Sequence, residues 1–582
     1  MDVPRIPDIP RFDRKFFDGK ERFTRIGSGK VGGKGAGLLR IHELLLSRLE
    51  PDAFPSFSVG IPTLTVVATD MFEAFMERNR LHEVAYSDLP DDRIASAFRK
   101  AELPTELLGD LRGLIEKVHQ PLAVRSSSLL EDALYRPFAG IYQTKMIPNN
   151  QLDADSRFRR LTEAIKFVYA STFSKSAKNY VSMTDRGIED ERMAVLIQEV
   201  VGRRHGDRFY PDFSGVVRSY SFYRSGHARP EDGVVNLALG LGKSIVDGGL
   251  AWSYCPAYPK APAPFASAGD LLDQTQAEFW AVNMGKPPAH DPMNETEYLG
   301  RAGLADAESD GTLWRVASTY DPASDRLRPG LEGPGPRVLD FSPILVHERV
   351  PLNSLIRRLM KDCEEALGEK VEIEFAVTFE EETGAPARFG FLQVRPLVVS
   401  REFVEVSEAE LTADGVLLAS ENVMGNGVVE GVRDLVYVRP GRFEPTLTRV
   451  VAGEIAAINS RLLEERHPFL LVGFGRWGSS DPSLGIPVDW GQICGARAIV
   501  EATLPNMNVD LSQGSHFFHN ISSFEVSYFC VRHDRDDRID WEWLERQPPV
   551  SDTGRVRHLR LSEPLAIRVD GRTGRGVIRT RG

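Results

Sequence analysis

A glycine-rich loop that opens a helix is the feature that most constrains this chain. The residues Gly27-Ser-Gly-Lys-Val-Gly-Gly-Lys-Gly35 run directly into AGLLRIHELLLSRL, whose apolar residues recur at helical spacing. Glycines allow close approach of the backbone and a helix start attracts anions, so the segment predicts contact with a phosphate. It is not a P-loop, because Gly35 rather than Ser or Thr follows Lys34, and no clear strand precedes it as a dinucleotide fingerprint requires. A flexible surface loop is the alternative.

Strand-like and helical segments alternate along the chain, which predicts an α/β (α+β) fold. PLAVRSSS and MAVLIQEVV are typical of strands, whereas RLTEAIKFVYASTFSKSAKNYV and LNSLIRRLMKDCEEALG have helical periodicity. At 582 residues the chain is too long for a single core. The sequence changes to shorter strand-like segments and turns near Gly202, and an acidic, weakly patterned linker begins near residue 400. We therefore expect units at 1–200 and 201–400, followed by a smaller mixed α/β domain at 401–582.

A second candidate element is the strand LAVRSSS with the turn that follows it. Arg125 ends the apolar part of the strand, and Gly140 and Thr144 lie in the segment FAGIYQT. An arginine beside hydroxyl groups and a small turn can present a fork of donors to phosphate oxygens. An arginine in an ordinary salt bridge is an equally good interpretation of this segment alone.

A third element is a predicted hairpin whose strands hold EIEF and LQVRP. Because side chains alternate along a strand, Glu372 and Glu374 share one face, as do Gln393 and Arg395. If the two strands pair, a carboxylate and an amide oxygen can converge on one hard cation, with an arginine beside them for phosphate. The alternative is a purely structural ion pair between Glu374 and Arg395.

Taken together, these segments resemble a known family. GGKGAGL, LAVRSSSLLED with FAGIYQT, IQEVV, and IEF with LQVRPL occur in that order, as in the nucleotide-binding half of phosphoenolpyruvate synthase, pyruvate phosphate dikinase and rifampicin phosphotransferase. The resemblance covers about the first 400 residues. It implies a two-lobed ATP-grasp type unit that clamps ATP and Mg²⁺.

The resemblance also implies a role for individual positions in ATP binding. Lys34 and Arg125 would contact the phosphates, with Gly140 and Thr144 in a loop that closes over them. Gln198, Glu199 and Val200 would line the adenine pocket at the hinge between the lobes. Glu374 and Gln393 would hold Mg²⁺, and Arg395 would stabilise the phosphates. As catalytic residues the resemblance therefore implies Lys34, Arg125 and Arg395.

The chain also departs from the family. Lys243 in GLGKSIVDGG stands where many relatives carry glutamate, and the hairpin connection EEETGAPA is longer than usual. The second half lacks the histidine signature close to G-G-x-T-S-H that receives the phosphoryl group in family enzymes. GRWGSSDPSLGIPV resembles that segment faintly, with Asp481 roughly where the histidine would be. The C-terminal domain is therefore predicted to be a degenerate form of the swivelling phosphocarrier domain.

Two other segments of the second half could take part in catalysis. Gly514-Ser-His516-Phe-Phe-His519 offers a histidine nucleophile, and we name His516 as a candidate phosphoryl acceptor, although a structural histidine is the commoner case. The turn at 475–481 could instead form a substrate site, with Arg476 for an anion and Asp481 as a base. A structural turn packed under Trp477 is the alternative to that site.

Composition excludes several classes of function. Lysine and arginine total 71 against 83 acidic residues, a net charge of −12, which argues against nucleic acid or an anionic membrane as the main partner. The four cysteines form no C-x-x-C pair, so reduced thiols are expected. The N-terminus has no signal-peptide pattern, and no apolar run is long enough to span a membrane. We expect a cytoplasmic protein.

The sequence supports three functional hypotheses. The first is an ATP-dependent phosphotransferase whose acceptor is a histidine of this chain, a partner protein or a small molecule. The second is a non-catalytic nucleotide sensor, favoured by the missing phosphohistidine signature. The third is a complete phosphoenolpyruvate synthase. It is the least favoured, because this chain lacks the parts that would bind pyruvate and would need a separate subunit for them. The acceptor, and cleavage of ATP to ADP or to AMP and phosphate, stay open at this point.

Overall fold

The computed structural model shows a mixed α/β protein, which confirms the predicted fold class. Helices and strands alternate through the first 400 residues, and strands predominate in the rest. The residues that the structure describes are 9–15, 17, 22–50, 52–129, 140–181, 187–221, 228–247, 249–261, 271–272, 275–380, 385–397, 399, 404–479, 481, 483–505, 507, 521, 524–535 and 537–580.

The N-terminal sheet has five strands, and all but the first pair are antiparallel. Their order across the sheet is Phe23–Ile26, Leu64–Val67, Met193–Glu199, Leu122–Ser128 and Thr144–Ile147. Helices surround this sheet, and they are Gly32–Arg48, Thr69–Arg78, His82–Tyr86, Asp91–Lys100, Thr105–Lys117, Ala154–Ser171 and Lys175–Val181. The predicted strands PLAVRSSS and MAVLIQEVV are therefore adjacent central strands, because their mostly buried residues are accommodated on both faces.

The central sheet has six strands and carries the predicted hairpin. The order is Trp252–Tyr254, Val234–Ala238, Phe213–Arg218, Lys370–Thr378, Ala387–Leu397 and Phe57–Gly60. The last of these strands comes from the first 60 residues and pairs parallel with the hairpin. Helix Gly32–Arg48 contacts both the N-terminal and the central sheet, and helix Leu352–Leu367 packs on the central one. The N-terminal and central sheets are thus connected by this helix and by the strand Phe57–Gly60.

Two smaller sheets flank the central sheet. One contains Leu299–Gly303, Glu278–Asn283, Arg208–Tyr210 and Arg203–His205, and the other contains Arg326–Pro329, Ser318–Asp321 and Arg337–Val338. The short helices of this part of the chain are Lys243–Val246, Leu304–Ser309 and Ser342–Leu345.

Two main sheets form the C-terminal region, which comprises residues 404–580. The larger has the order Val423–Met424, Ser527–Val531, Ala496–Ala502, Phe469–Phe474, Asp434–Val438, Val556–Arg560 and Pro549–Asp552, with its middle strands parallel. The smaller is antiparallel and contains Gly427–Val429, Ala566–Asp570, Arg575–Arg579, Val416–Ser420 and Arg538–Ile539. Arg476–Trp477 and Gly485–Ile486 form a two-stranded ribbon. The helices are Glu408–Leu411, Thr448–Glu464 and Trp541–Arg546.

A single apolar cluster extends from the helices on the N-terminal sheet into the C-terminal region. It contains Tyr169 and Tyr180 from the former and Trp477, Trp490 and Tyr528 from the latter, all almost fully buried. The two parts of the chain therefore share one hydrophobic core. None of the helices in the described ranges has both the length and the apolar character needed to cross a membrane.

The basic C-terminal end is part of the fold, although its charge pattern alone predicts a solvated tail. The segment DGRTGRGVIRTRG is typical of a solvated tail, but Arg575–Arg579 forms a strand between two neighbours, and Val577 and Ile578 are buried. The strand is short, and its two apolar residues lie among arginines and glycines. The charge pattern of this segment therefore does not indicate a strand.

Candidate functional site

The glycine-rich loop leads into helix Gly32–Arg48, as the sequence predicts. Gly32 has φ +73°, and a Cβ atom there would lie 1.8 Å from the Ser127 carbonyl oxygen, so only glycine fits. The helix start is tied to strand Leu122–Ser128, because the Gly35 N–H donates to Ser127 Oγ at 3.1 Å. Lys34 is buried at this junction, and its Nζ donates to Ser126 Oγ at 3.2 Å.

Asp70 holds the first half of the glycine-rich loop. Its Oδ2 accepts hydrogen bonds from the Ser28 N–H at 2.8 Å and from Ser28 Oγ at 2.9 Å. Burial acts to raise the pKa of Asp70, but hydrogen bonds from Ser28 and Gly29 outweigh it and lower the pKa on balance. The carboxylate therefore stays ionised and fixes the loop.

Arg125 lies at the centre of the predicted site. Its Nη2 donates to Gln393 Oε1 at 2.6 Å and lies 3.5 Å from Glu374 Oε2, while its Nη1 donates to the Leu392 carbonyl at 3.0 Å and to Gln198 Oε1 at 3.3 Å. These contacts join a strand of the N-terminal sheet to the hairpin of the central sheet. Three segments of the chain, around Gln198, Glu374 and Gln393, thus meet at one guanidinium.

The predicted hairpin is present, and its register brings the predicted residues opposite one another. Glu374 lies opposite Gln393, and Glu372 lies opposite Arg395. Arg395 is almost fully buried, its Nε donates to Glu372 Oε1 at 2.8 Å, and its Nη2 lies 3.6 Å from Glu374 Oε1. Glu372 also accepts from Arg218 Nε at 2.7 Å. Glu372 therefore balances two buried arginines and orients Arg395 beside Glu374.

A cavity of about 410 Å³ lies beside these residues. Seven of the residues predicted to bind nucleotide line it, namely Arg125, Gly140, Thr144, Gln198, Glu199, Val200 and Glu374. Lys34, Gln393 and Arg395 lie behind this wall, where Gln393 contacts Arg125, Arg395 lies near Glu374, and Lys34 contacts the strand of Arg125. The structure thus gathers the predicted residues, three of them as supporting neighbours.

One part of the cavity wall is apolar. Met146, Val200, Val201, Leu241 and Leu299 contribute to it. The N–H groups of Glu199 and Val200 donate to the carbonyls of Thr63 and Pro121, so a base could meet these two residues only through carbonyl groups and side chains. Burial raises the pKa of Glu199, partly offset by hydrogen bonding to Thr63 and by Arg388.

Acidic residues and one lysine form another part of the wall. Lys243 lines the cavity with Asp247 and Glu295, and its Nζ lies 2.9 Å from Asp247 Oδ2 and 3.9 Å from Glu295 Oε1. Burial acts to lower the pKa of Lys243, but the two carboxylates raise it on balance. The position that departs from the family is therefore a paired cation at the cavity wall.

A buried lysine fixes the loop that carries Glu295. Lys145 Nζ lies 2.6 Å from Glu297 Oε2 and donates to the carbonyls of Pro292 and Asn294 at 2.9 Å each. Burial lowers the pKa of Lys145, although Glu297 partly offsets this effect. The contact holds the loop against the edge strand of the N-terminal sheet.

The C-terminal region supplies a further part of the cavity wall through Gly478, Ser479 and residues 487–490. Arg476 is buried, and its Nη1 donates to the Gly249 carbonyl at 3.3 Å. Asp481 does not line the cavity, and its Oδ1 accepts from the N–H and Oγ of Ser483 at 2.9 and 2.7 Å. Trp477 is buried and donates to the Val500 carbonyl, so the turn is packed under it. His516 and His519 lie outside the described residues.

Sequence reasoning missed several residues of the site. Asp70 and Lys145 act across long stretches of chain and leave no local pattern. Asp489 lines the cavity and directly follows the segment GRWGSSDPSLGIPV, outside every motif that the sequence offered. Glu372 was on the predicted face of the hairpin, and its alternation with Glu374 was the available signal. Within the described ranges, no three His, Cys, Asp or Glu side chains form a group that could hold a metal ion by themselves.

Comparison with known proteins identifies the family. Residues 28–414 match the sequence family described as pyruvate phosphate dikinase, AMP/ATP-binding domain. A protein of Bacillus subtilis (strain 168) named "Uncharacterized phosphotransferase YvkC" is 26% identical over 191 residues, which cover 33% of this chain and 20% of that protein. The aligned part of the chain therefore spans about a fifth of that relative's length.

The family match covers more than half of the chain and includes the glycine-rich loop, Arg125 and the hairpin. The geometry agrees with it, because Arg125 and the hairpin meet at one cavity, and Lys34 of the glycine-rich loop contacts the strand of Arg125. The chain belongs to the pyruvate phosphate dikinase AMP/ATP-binding domain family.

Proposed function

We propose that the protein is an ATP-dependent phosphotransferase that binds Mg-ATP in the cavity between the N-terminal and central sheets. The observation that carries this proposal is the junction at Arg125, where Gln198, Glu374 and Gln393 converge beside the cavity. Phosphoryl transfer depends on positioning and on neutralising charge more than on covalent chemistry of the protein. A guanidinium that is 13% exposed, beside carboxylate and amide oxygens, supplies both.

The phosphates would lie at the polar end of the cavity. Arg125 would bind them directly, with Gly140 and Thr144 on the adjoining wall and Lys34 behind the Arg125 strand. Arg395 would add positive charge beside Glu374. The base would occupy the apolar end near Gln198, Glu199 and Val200, which matches the need to bury a flat ring.

The donors at the hairpin fit a magnesium ion. Glu374 and Gln393 lie opposite each other and offer hard oxygen atoms, and Mg²⁺ is commonly held by one or two protein ligands together with substrate phosphates. Gln393 Oε1 accepts from Arg125, and an amide oxygen has a second lone pair for a cation. The ion would neutralise phosphate charge.

The third component of the reaction is the phosphoryl acceptor. A histidine of this chain such as His516, a partner protein and a small molecule are all compatible with the family. The nearest C-terminal residues with hydroxyl or carboxyl groups at the cavity are Ser479 and Asp489. The competing function is a nucleotide sensor that binds ATP without transferring phosphate.

The test is incubation with ATP labelled separately at the β and γ phosphates, followed by nucleotide chromatography and intact-protein mass spectrometry. We expect turnover that is lost in Arg125→Ala and Lys34→Ala and kept in Lys100→Ala, an exposed control. AMP with an acid-labile phosphoprotein would indicate a histidine acceptor. ADP with unmodified protein would indicate an external acceptor. Binding without turnover would replace the enzyme by the sensor, and absence of Mg-ATP binding would contradict both.

A further inference from the structure

One loop of the chain encloses a buried lysine ammonium. Lys145 Nζ lies 2.6 Å from Glu297 Oε2 and donates to the carbonyl oxygens of Pro292 and Asn294 at 2.9 Å each. The side chains of Lys145 and Glu297 are 3% and 2% exposed. An ammonium group has three N–H donors, and these three oxygens engage all of them. We call residues 291–297 the ammonium loop.

Hydrogen bonds within the ammonium loop close it around this group. The Asp291 N–H donates to Glu297 Oε1 at 3.1 Å, which joins the two ends of the loop. Asn294 Oδ1 accepts from the N–H and Oγ1 of Thr296 at 3.0 and 2.9 Å, which fixes the turn between them. The Asp291 carbonyl adds a further oxygen 3.4 Å from Nζ. Carbonyl and carboxylate oxygens around one point are the ligands of a hard cation, so the lysine fills a cation site with its own ammonium.

The contact joins two parts of the fold that both line the cavity. Lys145 belongs to the edge strand Thr144–Ile147, and its neighbour Met146 lines the cavity from the other face of that strand. The ammonium loop leads through a single residue into strand Leu299–Gly303 of the small four-stranded sheet, and Leu299 also lines the cavity. The ammonium loop therefore fastens the edge strand of the N-terminal sheet to this small sheet.

Loss of the ammonium would loosen this connection. Glu297 would become a buried carboxylate without its cation, and such a group lowers its free energy by moving toward water. The remaining contacts between the two parts include weaker ones. Asn150 Nδ2 donates to the Met284 carbonyl at 2.7 Å, and the Arg160 guanidinium lies 5.1 Å from the centre of the Tyr298 ring. Neither of them supplies a positive charge to the ammonium loop.

Met146 and Leu299 pack with Val200 against one small apolar cluster, at the end of the cavity where the base is proposed to bind. We propose that Lys145 is a positioning residue of the nucleotide site, whose ammonium fixes Leu299 beside Met146 in the wall that receives the base. This proposal rests on the proposed function, since the wall is that of the ATP cavity. Lys145 does not itself line the cavity, so it acts through these two side chains.

The experiment is calorimetric titration of the full chain with magnesium and a non-hydrolysable ATP analogue. Lys145→Met removes the charge and keeps an unbranched side chain, and it should weaken binding about tenfold or more, because a small displacement of a binding wall is costly. Arg157→Met is the matched control. Arg157 is also buried, but it donates to the carbonyls of Ile115 and Val118 away from the cavity, so its loss should lower stability and leave affinity unchanged. Unchanged affinity in Lys145→Met, or an equal loss in Arg157→Met, overturns the proposal.

Chemical rescue tests whether the ammonium itself is responsible. Lys145→Ala, purified in the presence of propylammonium, receives back the carbons and the ammonium group that the substitution removes. We expect most of the lost affinity for the ATP analogue to return. Tetramethylammonium has the charge but no N–H donor, so it should restore nothing. Rescue by neither cation, or by both equally, overturns the proposal.

The unaltered chain separates this proposal from the proposed function. If it does not bind the analogue, the proposed function fails. If it binds the analogue and Lys145→Met binds equally well, only the positioning role fails. Should the Lys145 variants not fold, Glu297→Gln keeps the ammonium and its carbonyl partners but removes the counter-charge. It should weaken analogue binding and speed hydrogen exchange at residues 291–299, but not in helix Thr69–Arg78. Unchanged affinity and exchange in this variant overturn the proposal.

Discussion

Arg125 Nη2 donates a hydrogen bond of 2.6 Å to Gln393 Oε1, although the two residues are 268 positions apart in the chain. The bond joins a central strand of the N-terminal sheet to the hairpin of the central sheet at the edge of the cavity. Gln393 in turn lies opposite Glu374. The Arg125 guanidinium therefore connects the N-terminal sheet to both proposed magnesium ligands.

Replacing Arg125 by lysine should lower Mg-ATP affinity about tenfold or more, about 1.4 kcal/mol. A lysine keeps the charge but cannot hold Gln393 and the Leu392 carbonyl together while it also contacts phosphate. Isothermal titration with Mg-ATP measures the effect. Arg93→Lys, on an exposed helix position, is the control and should bind normally. Equal affinities of the Arg125→Lys variant and the unaltered chain would contradict the assigned role.

Glu372→Gln should destabilise the protein by about 3–5 kcal/mol, because it leaves Arg218 and Arg395 buried without their common counter-charge. The loss should also release Arg395 from its position beside Glu374 and weaken Mg-ATP binding. Denaturant unfolding and nucleotide titration measure the two effects. Glu380→Gln, at an exposed position just after the same strand, should change neither. A variant as stable as the unaltered chain would show that the two arginines are balanced elsewhere.

The stability that Asp70 gives to the glycine-rich loop should be lost in acid, because the ionised carboxylate accepts the hydrogen bonds from Ser28. The folded-state pKa of this carboxyl is below its usual value of about 3.9, so its contribution to stability is complete above about pH 5 and is lost as the pH falls through the folded-state pKa. Asp70→Asn should therefore cost about 1 kcal/mol at neutral pH, allowing for solvent screening.

The measurement for Asp70 is the free energy of unfolding of both proteins between pH 7 and pH 3. We expect a constant difference down to about pH 5 and a difference that shrinks below about pH 4. A difference that grows on acidification would have the wrong sign for a carboxyl with a lowered pKa. Asp92→Asn, at an exposed first-turn position, is the matched control.

The parts of the site that the sequence predicts are those with a local pattern. The start of helix Gly32–Arg48 follows from glycines that precede helical periodicity, and the pairing of Glu374 with Gln393 follows from two alternating segments joined by a polar connection. In each case neighbouring residues carry the signal. The roles assigned to these residues in ATP binding stay predictions.

The parts that the sequence does not predict depend on contacts between distant segments. Ser28 and Asp70 meet across 42 positions, and the strand Phe57–Gly60 joins a sheet whose other strands begin after residue 210. The strand Arg575–Arg579 escapes prediction because its two buried residues lie among arginines and glycines. Such pairings follow from packing of the whole chain, which leaves no period in the local sequence.

Trp490 tests whether the C-terminal wall of the cavity is part of the shared core. The side chain is 5% exposed, stacks on Phe524 and lines the cavity. Trp490→Ala should cost about 3–5 kcal/mol, the usual range for removing a large buried aromatic group. The expected result in a denaturant titration is a lower midpoint with an unchanged slope, because the surface exposed on unfolding is nearly the same.

Trp314→Ala is the matched control for that variant, because this tryptophan is 42% exposed and contacts only the guanidinium groups of Arg315 and Arg349 among the ring contacts of the described residues. Its cost should be about 1 kcal/mol or less. If Trp490→Ala costs no more than Trp314→Ala, the C-terminal region is not held by this contact. A mobile C-terminal region would then become the better account of phosphoryl transfer.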